Sequence, residues 1–183
     1  MTECIAARKD VDGFTRTQIG NMFLGHAGLW SCTPQGIMTM LAHYDIAVRG
    51  QHVVVLGRSN IVGKPMALML MNAGATVTSC NSATHDLAEI TRSADIVIVA
   101  IGKPGFLTKE MVSEKSIIID VGSTFIDGVG RGDADYENLQ DYVRAISPVP
   151  GGVGPMTVAT LIENTWKAYQ SQKNTMNELI VFL

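Results

Sequence analysis

Four short runs that contain β-branched residues divide the middle of the chain into regular segments. Between them lie stretches with helical spacing, at residues 66–72, 87–92 and 108–112. Short runs that are rich in Val and Ile are typical of strands buried on both faces of a parallel sheet. The pattern predicts an α/β fold, Rossmann-like and doubly wound, with a mainly parallel sheet and helices on both faces. The four predicted strands begin at His52, Ala75, Asp95 and Ser116.

The segment before this core is less regular. Residues 1–33 show little periodicity, and we predict an irregular segment that leads into the fold. Thr33 and Pro34 suit an N-cap and a first helical position. The apolar spacing that follows them predicts a helix as far as about Asp45.

The C-terminal part of the chain follows a different pattern. Residues 127–147 are polar and are predicted to be irregular. A last helix is predicted over about residues 156–169. The remaining residues, to Leu183, are left as a tail of undefined order.

Composition narrows the classes of function. The chain has 183 residues, of which 46% are hydrophobic and 17% charged, and this predicts one globular domain with a core. The net charge is only −3 and no Lys/Arg stripe is present, so we expect no nucleic-acid partner. No uninterrupted apolar stretch is long enough to span a bilayer, and we expect no membrane association. Three cysteines without a CxxC pair indicate reduced thiols, hence a cytoplasmic protein or one of an organelle's interior, and no metal site is predicted.

The first candidate site is the loop GRSNIVGKP, which runs from Gly57 to Pro65 between a predicted strand and a predicted helix. Backbone amides at the start of such a helix can bind a phosphate. Gly57 suits a tight turn, and Gly63 suits a close approach of the backbone to a pyrophosphate or to the sheet. An ordinary strand-to-helix turn would use the same glycines, so the glycines alone leave both interpretations open.

The end of the second predicted strand favours NADP over NAD. Sheets that bind NAD carry an acidic residue there for the ribose diol, whereas this chain reads Ser-Cys-Asn-Ser over residues 79–82. Arg58 is placed to offer a guanidinium to a ribose phosphate, and Ser82 to donate a hydroxyl. We therefore predict that the chain binds NADP; the alternative is that Arg58 is an ordinary solvated side chain.

Two further motifs are candidates for ligand contacts. Residues 147–157 read SPVPGGVGPMT, where prolines fix φ and glycines leave backbone amides unobstructed by side chains. Simple helix capping by Pro155 and Thr157 is the alternative. In KDVDGF, Asp10 and Asp12 could bind a metal, cap a helix or bond a polar heterocycle, although the residues alone favour a solvated turn.

Taken in order, KDVDGF, CTPQG, GRSNIVGKP, DVG and PVPGGVGPMT closely resemble the methylenetetrahydrofolate dehydrogenase/cyclohydrolase family, from about Ile5 to Tyr169. The resemblance implies NADP-dependent oxidation of methylenetetrahydrofolate and then hydrolysis to formyltetrahydrofolate, by a homodimer with a folate substrate. Ser123 stands where relatives usually have Ile. The implied cofactor contacts are Gly57, Arg58, Ser59, Ser82 and Ser123, and the implied folate contacts are Asp12, Pro150, Gly151, Gly152, Val153 and Gly154.

The same resemblance implies a domain division. In that family an N-terminal substrate domain precedes KDVDGF and supplies a YxxxK pair, whose lysine drives proton transfer. Residues 1–33 would then be a linking segment from such a domain, residues 34–170 the NADP-binding domain and residues 171–183 a tail. No catalytic residue is expected in this chain. Tyr169 and Lys173 repeat the YxxxK spacing after the last helix of the cofactor domain, and we interpret them as ordinary helix-surface residues.

Two hypotheses about function follow. The chain is a folate dehydrogenase/cyclohydrolase, or it is a catalytically incomplete NADP-binding module that lacks the general-base lysine. A third interpretation, an unrelated oxidoreductase acting on a small acid, needs a His or Lys base beside the nicotinamide. The positions of the four histidines suggest no such base.

Overall fold

The computed structural model describes the backbone of residues 4–181 and the side chains of residues 4–173. A five-stranded parallel sheet forms its centre, in the order β2-β1-β3-β4-β7, and a two-stranded antiparallel hairpin stands apart from it. The strands of the sheet are β1 (His52–Leu56), β2 (Thr76–Cys80), β3 (Ile96–Val99), β4 (Ile117–Asp120) and β7 (Ala145–Ile146), and the hairpin consists of β5 (Thr124–Ile126) and β6 (Val129–Arg131).

Helices cover both faces of this sheet, as the sequence predicted. Their bounds are α1 (Arg16–Phe23), α2 (Cys32–His43), α3 (Gly63–Asn72), α4 (Leu87–Arg92), α5 (Tyr136–Leu139) and α6 (Val153–Val181). Short 3₁₀ turns occupy Ala7–Lys9 and Lys109–Met111. Within the described residues, no helix is both long and apolar enough to cross a bilayer.

The core is divided by the sheet into two apolar layers. Alternate strand residues point to opposite faces, so Val54 and Val97 pack with α4 and α5 while Val53 and Ile96 pack with α2 and α3. All four of these side chains are at most 1% exposed. Burial on both faces explains why β1, β3 and β4 read as continuous apolar runs, and it confirms the doubly wound architecture.

The N-terminal segment is more regular than predicted. The irregular segment expected over residues 1–33 contains α1, and that part of the prediction was wrong. Polar contacts hold this helix in place: the Gln18 side chain donates to the Ala7 carbonyl at 2.8 Å and accepts from the Leu29 amide at 3.0 Å. Thr15 caps α1, since its hydroxyl accepts from the Gln18 amide at 3.4 Å. The apolar spacing is weak because these contacts, rather than an apolar stripe, fix the helix.

The start of α2 also differs from the prediction. Thr33 was predicted as its N-cap, but the helix begins at Cys32 and its N-cap residue is Ser31. The Ser31 hydroxyl does not cap the helix; it donates to the Ile61 carbonyl at 2.8 Å. This bond ties the start of α2 to the loop after β1. Pro34 is the third helical residue, and its missing N–H is tolerated within the first turn.

The region predicted to be irregular over residues 127–147 contains β6, α5 and β7, so that prediction was wrong as well. The strand β7 pairs with β4 through Ile117 and Ala145 and extends the sheet by one strand. The last helix, α6, begins three residues earlier than predicted and continues to Val181, through most of the segment left undefined.

Candidate functional site

The strand order creates a crevice at the carboxyl edge of the sheet. From β1 the chain proceeds to β2 on one side and later to β3 on the other, and β1 pairs in parallel with both. The loops that leave β1 and β3 therefore diverge, and such a switch point is where open α/β sheets bind their ligands. The loop at residues 57–62 forms one wall of this crevice, and residues 100–102 form the other.

The two glycines of the first loop are required by its own packing. Gly57 has φ +116°, and a Cβ built there would collide with the carbonyl oxygen of Ala100, at the end of β3. A Cβ at Gly63 would collide with the carbonyl oxygen of Gly57. These contacts press the loop against β3 and press the start of α3 against the loop. The glycines thus set a narrow, rigid turn at the switch point.

Ser59 organises the polar groups of this loop. Its hydroxyl oxygen accepts the amides of Val62 at 3.1 Å and Gly63 at 3.3 Å. A hydroxyl has two acceptor lone pairs and one proton, so the proton of Ser59 is left to donate outward. The amides of residues 58–61 donate to no acceptor within the described part of the chain. A phosphate at this loop would meet these amides and the Ser59 hydroxyl, whereas the amides at the start of α3 are already bonded.

Arg58 and Ser82 lie at the corner between β1 and β2. Leu56 and Cys80 are paired at the strand ends, so Arg58 and Ser82 each lie two residues beyond the pair. The Gly57 amide donates to the Cys80 carbonyl at 2.9 Å and joins the two loops. Both Arg58 and Ser82 are exposed. A cation and a hydroxyl therefore share a corner at which the strand ends without a carboxylate.

The loop after β4 lies next along the same edge of the sheet, beyond β3. Ser123 is exposed in this loop, next to the buried Gly122. Sequence reasoning missed two buried carboxylates here, Asp120 and Asp133, which are 2% and 0% exposed. Burial raises the pKa of Asp120, while hydrogen bonds from the Ala134, Asp133 and Gly122 amides oppose the rise. No local motif joins Asp120 to Asp133, because the contacts that connect them to each other and to Ile101 span 13 to 32 positions along the chain.

The glycine-rich segment after β7 forms a sharply bent loop. The Val149–Pro150 peptide is cis, and Gly151 has φ +101° with open space around the position of a Cβ. Pro150 and Gly151 are exposed, whereas Gly152 and Val153 are buried. The remaining predicted contact, Gly154, is exposed in the first turn of α6.

The two residues of the capping alternative lie at the start of α6. Pro155 is the third residue of this helix, which begins at Val153, and so lies in its first turn as predicted. The Thr157 hydroxyl lies 3.1 Å from the Thr33 hydroxyl and 3.2 Å from the Val153 carbonyl. Thr157 thus links the start of α6 to α2.

The KDVDGF segment separates its two carboxylates. Asp10 is buried and accepts the Thr15 amide at 2.6 Å, so it supports the start of α1 and is not part of a solvated turn. Asp12 is exposed, and its Oδ1 lies 3.7 Å from the Cys32 thiol. Burial raises the pKa of Cys32 to about 11, and the Asp12 carboxylate adds to the rise. The thiol therefore stays protonated and donates toward Asp12 or the Val11 carbonyl.

Asn164 of α6 holds this segment in place. The segment meets the start of α2 here, and Asn164 donates to the Val11 carbonyl at 2.9 Å and to the Trp30 carbonyl at 3.0 Å. The side chain is 1% exposed.

Tyr169 and Lys173, the pair with YxxxK spacing, are both exposed on α6. The Tyr169 ring stacks on the Trp166 ring, with centroids 5.5 Å apart.

A large cavity lies elsewhere, at the edge of the sheet. It has a volume of about 800 Å³ and opens between α2, β4 and β7, against Tyr44, Ile117 and Ile146. Gly57, Arg58 and Ser82 do not line it. It follows the open edge of the sheet because β7 has only two residues and no further strand covers it.

Comparison with known proteins gives consistent matches. The model of the tetrahydrofolate dehydrogenase/cyclohydrolase family, NAD(P)-binding domain, matches residues 31–173. The bifunctional protein FolD of Nitrosomonas europaea is 52% identical over 170 residues, which cover 92% of this chain and 58% of that protein. FolD of Campylobacter hominis is 51% identical over 178 residues, covering 97% of this chain and 62% of the relative. The chain thus spans about three fifths of the length of these relatives.

Solved structures agree with these matches. The bifunctional methylenetetrahydrofolate dehydrogenase/cyclohydrolase FolD of Campylobacter jejuni superposes with a TM-score of 0.91 at 47% identity, covering 93% of this chain and 61% of that one. The corresponding enzyme of Trypanosoma brucei, solved with NADP cofactor and an inhibitor, has a TM-score of 0.86 at 35% identity, covering 92% and 60%.

Proposed function

This chain belongs to the tetrahydrofolate dehydrogenase/cyclohydrolase family and contains its NAD(P)-binding domain, and on that premise we propose that it binds NADP at the crevice between β1 and β3. We propose further that it works as the cofactor part of an enzyme that oxidises methylenetetrahydrofolate and hydrolyses the methenyl product to formyltetrahydrofolate. When bound, NADP supplies the hydride acceptor for the first of these reactions.

The observation that carries the NADP assignment is the corner shared by Arg58 and Ser82. The guanidinium can form paired hydrogen bonds to a ribose phosphate, and the Ser82 hydroxyl can donate one more. Because β2 ends without a carboxylate, a phosphate there meets no like charge. An NAD-specific site would need the opposite arrangement.

The loop at residues 57–62 suits the pyrophosphate that joins the two halves of the dinucleotide. Gly57 brings the backbone close to the crevice, and the amides of residues 58–61 are available as donors. The Ser59 hydroxyl accepts two amides of its own turn, so its proton is left to donate to the pyrophosphate. Ser123 would lie against the other half of the cofactor, beyond β4. These features support the cofactor contacts that the resemblance implies.

The folate contacts are proposed at Asp12 and at the glycine-rich segment from Pro150 to Gly154. Asp12 offers an exposed carboxylate that could accept hydrogen bonds from a polar heterocycle. Its position is fixed by Cys32 and by the bonds of Asn164 to the Val11 and Trp30 carbonyls. In the other segment, Gly151 presents unobstructed backbone.

An assay of the purified chain with methylenetetrahydrofolate and NADP tests this proposal. We expect NADPH to appear, and we expect Arg58→Ala to raise the KM for NADP with a smaller effect on kcat, because Arg58 binds the cofactor far from the reacting carbon. Saturable NADP binding without any turnover would support the alternative, an NADP-binding module that is catalytically incomplete. Absence of saturable binding by the folded chain would contradict both.

We also infer a homodimer in the cytoplasm or in the interior of an organelle. The 800 Å³ cavity at the open edge of the sheet and the exposed Phe125 of the hairpin, which is 74% exposed, offer apolar surface for a second copy. The three cysteines, all described by the structure, are free thiols, as suits a reducing compartment. Sedimentation velocity should give twice the mass of one chain, and a monomer at every concentration would contradict the dimer.

A further inference from the structure

A buried carboxylate lies behind the second wall of the crevice. Asp133 is 0% exposed, and its Oδ2 accepts two successive backbone amides, those of Ile101 at 2.7 Å and Gly102 at 2.8 Å. These two residues follow β3 after Ala100. Hydrogen bonds from amides to a charged carboxylate are among the stronger ones in proteins. Asp133 therefore fixes the direction in which this loop leaves the sheet.

A second carboxylate holds Asp133 in place. Asp120, the last residue of β4, accepts the Asp133 amide at 2.9 Å and the Ala134 amide at 2.8 Å. The Gly122 amide donates to the same carboxylate at 2.9 Å. The packing leaves no space for further atoms, since a Cβ at Gly122 would lie 2.5 Å from the Asp133 Cγ. The two carboxylates thus link the loops after β3 and β4 into one unit.

This unit connects to the cofactor loop through one residue. Ala100 immediately precedes the two amides that Asp133 binds, and its carbonyl oxygen is the atom against which Gly57 packs. The Oδ1 of Asp133 has no hydrogen-bond partner among the described residues. The two hydrogen bonds of Oδ2 are therefore the polar contacts by which the Asp133 side chain holds residues 101 and 102, which form the second wall of the crevice.

We infer that Asp133 is a positioning residue for the nicotinamide half of the bound dinucleotide. The inference rests on the proposed function, which places the ribose phosphate at the corner of Arg58 and Ser82. A dinucleotide that starts at this corner and crosses the switch point has its other half on the side of β3 and β4. Asp133 does not touch that half; it acts through Ile101 and Gly102, whose amides it turns into the protein.

The affinities of two probe ligands, NADP and adenosine 2′,5′-bisphosphate, distinguish a residue that positions the nicotinamide half from one that only stabilises the fold. NADP spans the whole crevice, whereas adenosine 2′,5′-bisphosphate occupies only the ribose-phosphate end. For Asp133→Ala, titration calorimetry should show NADP affinity reduced about tenfold, the scale of losing one or two hydrogen bonds. The affinity for adenosine 2′,5′-bisphosphate should stay within about twofold, because Arg58 and Ser82 remain in place. Asp135→Ala is the matched control, since among the described residues the Asp135 carboxylate accepts from the exposed Asn138 side chain alone, at 2.8 Å.

Two further variants complete the test: a conservative substitution of Asp133 and a substitution in the loop that Asp133 holds. Asp133→Asn keeps one oxygen that can accept both amides, so its NADP affinity should lie within about threefold of the parent chain. If Asp133→Ala fails to fold, Gly102→Ala takes its place. Gly102 has φ +68° with open space around its Cβ position, so an alanine strains the loop without a clash. It should likewise weaken the binding of NADP but not that of adenosine 2′,5′-bisphosphate.

The outcomes are distinct. Equal weakening of both probes, or no weakening of either in a folded variant, would overturn the positioning role. If the parent chain bound neither probe, the proposed NADP site itself would fail, and the result would say nothing against the contacts of Asp133 with its loop. A loss confined to NADP and restored in Asp133→Asn is the result that we expect.

Discussion

Gly63 packs so closely against the carbonyl oxygen of Gly57 that a Cβ at Gly63 would overlap it. The contact joins Gly57, the first residue of the cofactor loop, to the first residue of α3, so the five residues between them form a closed turn. A rigid turn holds its amides in a fixed direction before a ligand arrives, which lowers the entropic cost of binding. This relationship underlies the first prediction.

Gly63→Ala should destabilise the chain and weaken NADP binding together. The added methyl group cannot be accommodated without moving the backbone of the loop, and overpacking of this kind costs about 1–3 kcal/mol. Urea unfolding and NADP titration measure the two effects. Gly20→Ala is the control: its Cβ would meet nothing within 4 Å in α1, and we expect a gain of about 0.5–1 kcal/mol with unchanged binding. Wild-type stability in Gly63→Ala would contradict the packing described.

Ser59 should have two separable roles, as the acceptor that fixes the turn before α3 and as a donor to the cofactor. Ser59→Ala loses both, with a cost of about 1 kcal/mol in the free energy of unfolding and weaker NADP binding. Ser59→Asp keeps an oxygen that can accept the Val62 and Gly63 amides, but its carboxylate repels a phosphate, so stability should be retained while NADP binding is lost. Urea unfolding and NADP titration of both variants check this. If Ser59→Asp bound NADP as well as the parent chain, no phosphate would lie at this residue.

The Cys32 thiol should make stability depend on pH in the alkaline range. Its pKa is raised to about 11 in the folded chain from an ordinary value of 9.0. Between these values the folded thiol keeps its proton while the unfolded thiol has lost it, so stability is fully present below pH 9 and falls as pH rises toward 11. Urea unfolding at several pH values should show this fall reduced in Cys32→Ser and unaltered in Cys4→Ser, where the cysteine is exposed. An equal fall in both variants would contradict the prediction.

Asn164→Ala should be among the more damaging changes outside the apolar core. The substitution removes the donors to the Val11 and Trp30 carbonyls and leaves both groups under-satisfied, at a cost of about 2–3 kcal/mol. Asn138→Ala, which loses one exposed bond to Asp135, should cost less than about 0.5 kcal/mol. Thermal or urea unfolding compares the two. Similar stability in both variants would show that Asn164 does not hold the KDVDGF segment.

The sequence predicted the parts of the fold that depend on local patterns. The strands β1, β3 and β4 read as continuous apolar runs because both of their faces are buried, and α4 was predicted with the bounds that the structure has. By contrast, β7 has only two residues, and it is a strand because β4 pairs with it. Likewise, α1 depends on Gln18, whose partners lie 11 residues away on either side. Long-range contacts of this kind leave no periodic signal.

The sequence likewise predicted the site residues that stand in local motifs and missed those that depend on long-range contacts. Gly57, Arg58 and Ser82 were predicted because motif and strand order together place them at one corner. The Asp120–Asp133 pair could not be predicted: Asp120 stands in the DVG motif, but nothing in the sequence joins it to Asp133, and the partners of the pair come from three separate loops. The role of Asp10 was also missed: the residues favoured a solvated turn, whereas its carboxylate is buried against the Thr15 amide.

Calorimetric titration with NADP and NAD, of the parent chain and of Arg58→Ala, tests the central claim most directly. The parent chain should prefer NADP, and Arg58→Ala should lose roughly 10- to 100-fold in NADP affinity, as expected for hydrogen bonds to a charged group, while NAD binding stays unchanged. Arg8→Ala is the control, because Arg8 is exposed near the N-terminus, far along the chain from β1 and β2. Equal affinity for NADP and NAD in the parent chain, or an undiminished preference for NADP in Arg58→Ala, would contradict the assignment of the ribose phosphate to the corner of Arg58 and Ser82.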